Sequence, residues 1–166
     1  PSIVAEFADC SKEDVWCTFG EEQIDINIRS ERAQRFFRET LVHMAQNNAS
    51  IIRLDAFAYA AKQAGSNCFF VEPDTTRLLQ SMQEVLDPYQ VMVLPEIHEH
   101  YSIQMQVADK GYWIYDFALP VLTLHALYSG KGNYLANWLK MSPKHQFTTL
   151  DTHDGLSLIH ISEPTR

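Results

Sequence analysis

Three acids each close a short apolar run. Asp55 ends Ile51-Ile52-Arg53-Leu54-Asp55, and Glu96 ends Val91-Met92-Val93-Leu94-Pro95-Glu96. Asp154 ends the run that starts at Phe147 and closes Leu150-Asp151-Thr152-His153-Asp154. Residues two apart on a strand share a face, so Arg53 and Asp55 point the same way. A guanidinium beside a carboxylate stabilises its ionised form, which suits a nucleophile or a fixed anion. Apolar neighbours such as those of Glu96 favour the protonated form, which suits a general acid. Two carboxyls in unlike surroundings plus a third acid are the parts of a retaining glycosidase-type site, in which one attacks the anomeric carbon and the other protonates the leaving oxygen.

Each motif alone has a plainer reading. Arg53-Leu54-Asp55 reads as a structural ion pair, and Asp151-Thr152-His153-Asp154-Gly155 reads as a surface turn. Glu96, His98 and His100 would share a strand face and could ligate a metal, but they lack the helical His-Glu-x-x-His pattern. Gly130-Lys131-Gly132 lacks the rest of a phosphate loop and reads as a helix stop. The set of three acids is what favours chemistry.

These acids need a scaffold that delivers carboxyl ends of strands to one place. The pattern predicts strands over 50–55, 90–96, 112–117 and 146–150. Residues 1–17 read as loop with an edge strand, and Ile24, Ile26 and Ile28 alternate after a turn at Gly20. Ser30 is placed to cap a helix with apolar positions Ala33, Phe36, Phe37, Leu41 and Met44, ended by Asn47-Asn48. Asp74 is placed to cap a second helix through Leu86, with Leu78, Leu79, Met82, Val85 and Leu86 inward and Asp87-Pro88 as its stop. A shorter helix lies within 100–109, one opens at Pro120 and stops at Gly130, and another covers 133–140. Strands alternating with helices imply right-handed crossovers and a parallel sheet. The expected class is α/β, a partial (β/α)8 TIM barrel. Four strands make about half of the eight that a closed barrel requires.

The chain has 166 residues, room for one ordinary domain, and a net charge of −8 with no basic cluster. That charge argues against nucleic acid and anionic membrane surfaces as partners. No stretch approaches the roughly 20 apolar residues of a membrane span. Cys10, Cys17 and Cys68 are odd in number and form no C-x-x-C pair, so free thiols in a reducing, cytoplasmic setting are expected. No secretory signal is visible, and the chain begins at Pro1, so the N-terminus is expected to be incomplete.

The last eleven residues, Leu156-Ser-Leu-Ile-His-Ile-Ser-Glu-Pro-Thr-Arg166, resemble the first-frame translation of a common transposase-derived sequencing adapter, with every codon fitting. Residues 1–155 are therefore expected to be a partial catalytic barrel domain, and residues 156–166 a non-native tail. His160 then carries no functional weight.

Longer words make a resemblance specific. Ile52-Arg53-Leu54-Asp55-Ala56, Leu94-Pro95-Glu96-Ile97-His98 and Leu150-Asp151-Thr152-His153-Asp154-Gly155 resemble successive strand motifs of the α-amylase superfamily. Thr18-Phe19-Gly20-Glu21-Glu22-Gln23-Ile24-Asp25, Phe69-Phe70-Val71-Glu72-Pro73, Glu96-Ile97-His98-Glu99-His100-Tyr101, Tyr115-Asp116-Phe117-Ala118-Leu119-Pro120 and Trp138-Leu139-Lys140-Met141-Ser142-Pro143 resemble the bacterial sucrose phosphorylase family. The resemblance implies Asp55 as nucleophile, Glu96 as general acid/base and Asp154 as transition-state stabiliser, with His153 beside it. It implies Arg53 as the residue orienting the nucleophile and Phe19 as an aromatic platform for the sugar. Tyr59, His98 and Gln23 match positions near the acceptor or phosphate. Sucrose and inorganic phosphate are the implied partners, with no cofactor and no metal, and a homodimer is compatible with the full-length parent. The family's earlier Asn-His motif and its later acceptor loops have no counterpart in this chain. The same machinery would serve a phosphorylase of sucrose 6′-phosphate or another α-glucoside, or an α-glucosidase-type hydrolase. The segment alone is expected to be inactive, with exposed strand edges that favour aggregation.

Overall fold

The computed structural model describes residues 2–149. The chain is mixed α/β and divides into two compact units, Pro1–Pro95 and Glu96–Arg166.

In the first unit, β1 (Ser2–Glu6) and β2 (Lys12–Trp16) form an antiparallel hairpin, with Ser2 opposite Trp16 and Glu6 opposite Lys12. The sequence pattern predicts loop with an edge strand over 1–17, and two paired strands form there instead. The strands read weakly because their faces are mostly exposed, so hairpin pairing rather than burial defines them. The alternation at Ile24, Ile26 and Ile28 makes no strand. Ile24 and Ile26 are exposed, and the segment is anchored instead by Asp25, whose amide donates to the Trp16 carbonyl at 2.9 Å.

Helix α1 (Glu31–Gln46) starts after Ser30, as expected, but the Ser30 side chain makes no capping hydrogen bond. Ala33 and Leu41 are buried, whereas Phe36 and Met44 are exposed. Helix α2 (Asp74–Leu86) is preceded by Pro73 in the capping position, so Asp74 is its first residue rather than its cap. Glu72 serves the first turn instead, accepting the Thr76 hydroxyl at 2.5 Å and the Thr76 amide at 3.2 Å. Asp74 is free to pair with Arg29. Phe37 and Leu41 of α1 face Leu78, Met82 and Val85 of α2.

The core of this unit is a parallel pair, β3 (Ile51–Leu54) and β4 (Met92–Pro95), in the register Ile51 to Met92 through Leu54 to Pro95. Ile52, Val93, Leu94, Leu79 and Leu86 are buried, and each contributes about 1.5–3 kcal/mol by leaving water. Gln83 of α2 clamps β4 on both polarities. Its amide nitrogen donates to the Val91 carbonyl at 3.1 Å, and its oxygen accepts the Val93 amide at 3.0 Å.

In the second unit, α3 (Tyr101–Asp109) leads to β5 (Ile114–Asp116), then α4 (Ala118–Ser129), α5 (Asn133–Met141) and β6 (Gln146–Thr148). β5 and β6 are parallel, with Asp116 opposite Thr148. The four strands expected in the main alternation are thus β3 to β6, and both of their pairings are parallel. The described residues contain no closed barrel.

Asp116 organises this unit. It is 1% exposed and accepts from Trp138 Nε1 at 3.0 Å to each carboxyl oxygen, Gln146 Nε2 at 3.1 Å and the Leu119 amide at 2.9 Å. One side chain on β5 therefore fixes the start of α4, the buried face of α5 and the start of β6. Helix α4 buries none of its residues and exposes Val121, Leu124, Leu127 and Tyr128. Among the described residues no helix is long and apolar enough to cross a membrane. The three cysteines are free, with Cys17 and Cys68 buried and Cys10 exposed.

Candidate active site

Asp55 directly follows β3. Arg53 Nη1 donates to its Oδ1 at 2.5 Å, so the pair read from spacing forms. The pair stands open to solvent: the Asp55 side chain is 74% exposed. An ion pair that open contributes about 0.2–1 kcal/mol to stability. The next residue, Ala56, adopts a left-handed conformation at φ 45 and opens a 3₁₀ turn, Phe57–Tyr59. A non-glycine residue held there costs on the order of 1–3 kcal/mol, a cost that collects at functional sites. The turn swings Tyr59 out of line with the strand and sets Lys62 three residues beyond it.

Tyr59 joins Phe19 and Phe69 in a chain of edge-to-face rings, with centroids 5.4 Å and 5.0 Å apart. Phe19 and Tyr59 border a cavity of about 340 Å³ lined also by Trp16, Thr18 and Cys68. Phe19 is 61% exposed. Gln23 is exposed on the same loop, its amide donating to the Gly20 carbonyl at 3.0 Å.

Glu96 follows β4 directly and is half-buried. β4 stops at Pro95, so Glu96, His98 and His100 do not share a strand face, which removes the geometry of the metal reading. The segment after Glu96 is held by Gln104, whose amide nitrogen donates to the Glu99 carbonyl at 3.2 Å and the Ile97 carbonyl at 3.4 Å. His98 stacks on Phe117 at 4.3 Å and 20°, beside a cleft bordered by Tyr101 and Gln104. His100 caps α3, its Nδ1 within 2.9 Å of the Ser102 hydroxyl. Asp154 and His153 lie outside the described residues.

Two groups near Phe19 were not singled out from spacing. Asp25 Oδ2 accepts the Thr18 hydroxyl at 2.7 Å and the Thr18 amide at 3.0 Å, and Lys62 Nζ lies 3.1 Å from it. Asp25 and Lys62 are 37 positions apart, and nothing local pairs them. Burial pushes the Asp25 carboxyl up, but the Thr18 hydroxyl, the Lys62 ammonium and the Thr18 amide outweigh it and hold it below the ordinary value of 3.8. A carboxyl lowered on folding stabilises the fold above its unfolded value, and the stabilisation is lost as pH falls through the folded value. The stability gap between the wild type and Asp25→Asn is therefore expected to stay constant above about pH 5 and to shrink as pH falls below 3.8, read by acid unfolding followed by circular dichroism.

An arginine-paired carboxylate at the end of a parallel strand, and an exposed aromatic in the same unit, are features found in the class of proteins that handle sugars through carboxylate chemistry. Comparison with known proteins makes the class particular. The chain is 50% identical over 163 residues to sucrose phosphorylase from Streptococcus mutans, covering 98% of this chain and 34% of that protein. It is 38% identical over 151 residues to glucosylglycerol phosphorylase from Marinobacter adhaerens, covering 91% of this chain and 32% of that protein. The crystal structure of sucrose 6F-phosphate phosphorylase from Thermoanaerobacter thermosaccharolyticum superposes with a TM-score of 0.87 at 34% identity, over 92% of this chain and 32% of that one. The chain spans about a third of the length of the curated relatives it matches. Over that third it is a homologue of sucrose phosphorylase and its kindred glycoside phosphorylases. No protein-family profile matches the chain.

Proposed function

We propose that the protein containing this chain is a sucrose phosphorylase that works by retaining double displacement. The observation that carries this reading is the Arg53–Asp55 pair at the end of β3, within a sequence 50% identical to a sucrose phosphorylase. In the first step the Asp55 carboxylate attacks C1 of the glucosyl unit and the C1–O bond to fructose breaks. Glu96 gives its proton to the departing fructosyl oxygen. In the second step a phosphate oxygen attacks C1, its proton passes to Glu96, and Asp55 leaves, giving α-glucose 1-phosphate with retention. Arg53 orients Asp55, Phe19 faces the cation-like sugar, and Asp154 with His153 holds its hydroxyls. Tyr59, His98 and Gln23 serve the acceptor side. The register Leu54 to Pro95 supports the assignment, because it ends the two acid-bearing strands in step. The mechanism requires the two carboxyls to stand about 5–5.5 Å apart.

On this reading residues 1–155 are about half of a (β/α)8 catalytic barrel, residues 156–166 are non-native, and the full-length enzyme is cytoplasmic. The segment alone is inactive, since it lacks the remaining strands. Turnover of sucrose by purified 1–166 would refute that.

The deciding assay follows sucrose consumption by the full-length enzyme with and without phosphate. Phosphate-dependent release of glucose 1-phosphate supports the proposal, whereas glucose alone would mark a hydrolase. The likeness to a sucrose 6F-phosphate phosphorylase favours one second reading, and a preference for sucrose 6′-phosphate over sucrose in the same assay would establish it. Glu96→Gln is expected to lower turnover of sucrose by about 10²–10⁴-fold, the usual contribution of a general acid, and to spare donors whose leaving group needs no proton. Equal losses on both kinds of donor would remove Glu96 from the acid role.

A further inference from the structure

The polar contacts beneath Phe19 join two parts of the chain far apart in sequence. Lys62 Nζ donates to Thr18 Oγ1 at 2.5 Å and lies 3.1 Å from Asp25 Oδ2, which itself accepts the Thr18 hydroxyl at 2.7 Å. The three groups form a closed triangle. Its charged side chains are well sheltered, Lys62 at 11% and Asp25 at 18% exposure. The loop that it closes carries Phe19, and its backbone bonds are the Gln23 to Gly20 turn at 3.0 Å and the Asp25 amide to the Trp16 carbonyl at 2.9 Å, neither of which engages residues 18 and 19. Phe19 is not held by burial. Its described ring contact is the edge of Tyr59. Tyr59 and Lys62 belong to the same short segment after Asp55, so one piece of chain supplies both the seat for the ring and the ammonium that ties down its loop.

We propose that Lys62 is a positioning residue, holding the 18–25 loop through Thr18 and Asp25 so that Phe19 stays seated on Tyr59 beside the segment that carries Asp55. The proposal rests on the reading of Phe19 as the sugar platform and Asp55 as the nucleophile. Asp25 keeps both Thr18 donors when Lys62 is removed, so the loop loosens without losing its turn. The ring then samples positions away from the sugar, and misplacement of about 1 Å costs on the order of 10²-fold in rate.

The test uses the full-length enzyme and compares Lys62→Met, Phe19→Ala and the double variant, with melting temperature measured for each. Lys62→Met is expected to lower kcat by about 10–100-fold, and Lys62→Arg, which keeps the charge and the donors, to recover most of it. In the Phe19→Ala background Lys62→Met is expected to add less than about threefold, because residues acting through one another are not additive. Multiplying losses in the double variant, or wild-type turnover in Lys62→Met, overturns the proposal. If Lys62→Met does not fold, Thr18→Val removes the bridging hydroxyl at nearly constant shape and enters the same comparison with the same criteria. Asp55→Asn separates the two levels: activity surviving there sinks the site reading itself. Activity lost there with Lys62→Met unchanged sinks only the positioning role.

Discussion

Asp55→Asn in the full-length enzyme is expected to lower glucosyl transfer by about 10⁴-fold or more, the scale on which loss of a nucleophile is felt. The change keeps the shape of the side chain and an oxygen for Arg53 to donate to, so the Arg53 contact of 2.5 Å survives in altered charge only. The site is open, with Asp55 74% exposed, so the melting temperature should move little. That combination separates chemistry from structure. A structural ion pair of this exposure contributes about 0.2–1 kcal/mol, and its loss would leave turnover intact. Wild-type turnover in Asp55→Asn would therefore return the pair to a merely structural role and remove the basis for the double displacement. Trapping offers an independent readout: the wild type should accumulate a glucosyl-enzyme on Asp55 with a slow donor, detected by mass, and the variant should not.

Asp116→Ala is expected to cause the largest loss of stability, about 3–5 kcal/mol, measured by denaturant unfolding of the full-length enzyme. The carboxyl is 1% exposed and accepts from the Trp138 indole, the Gln146 amide and the Leu119 backbone. Truncation strands one buried donor, Trp138, and two part-buried ones at once, and each stranded buried group costs about 1–3 kcal/mol. Asp116→Asn keeps one acceptor oxygen but turns an NH₂ toward donors, so it should fall between the wild type and Asp116→Ala. A change below about 1 kcal/mol for Asp116→Ala would show that β5, α4, α5 and β6 are held by apolar packing alone. The result bears on function indirectly, since β6 leads into the segment that carries His153 and Asp154.

Local pattern made the helices and the central strands legible. The 3.6-residue spacing marked α1 and α2, and short β-branched runs marked β3 to β6. The same signal misjudged the positions whose neighbours come from elsewhere. Phe36 and Met44 fit the apolar stripe of α1 but are exposed, because α2 covers only the Phe37–Leu41 side of that helix. The β1–β2 hairpin was legible only as loop with an edge strand, because pairing, not burial, holds it. Asp74 carried the chemistry of a cap but is used for Arg29, while Glu72 takes over the Thr76 donors. His100 carried the chemistry of a ligand and is instead the cap of α3.

By itself the sequence determined the α/β alternation, the positions of Asp55 and Glu96 just past β3 and β4, and the Arg53–Asp55 pair. These follow from bonds and periodicities that span a few residues: a strand turns its side chains every second residue, so Arg53 and Asp55 meet wherever the strand is placed. Tertiary structure alone decided that Asp55 stands open rather than buried, that Tyr59 seats Phe19, that Lys62 reaches Thr18 and Asp25, and that Asp116 gathers Trp138 and Gln146. Those contacts join residues 22 to 44 positions apart. Only chain folding sets such distances, because the donors and acceptors choose partners by where packing leaves them, not by how far apart they are written.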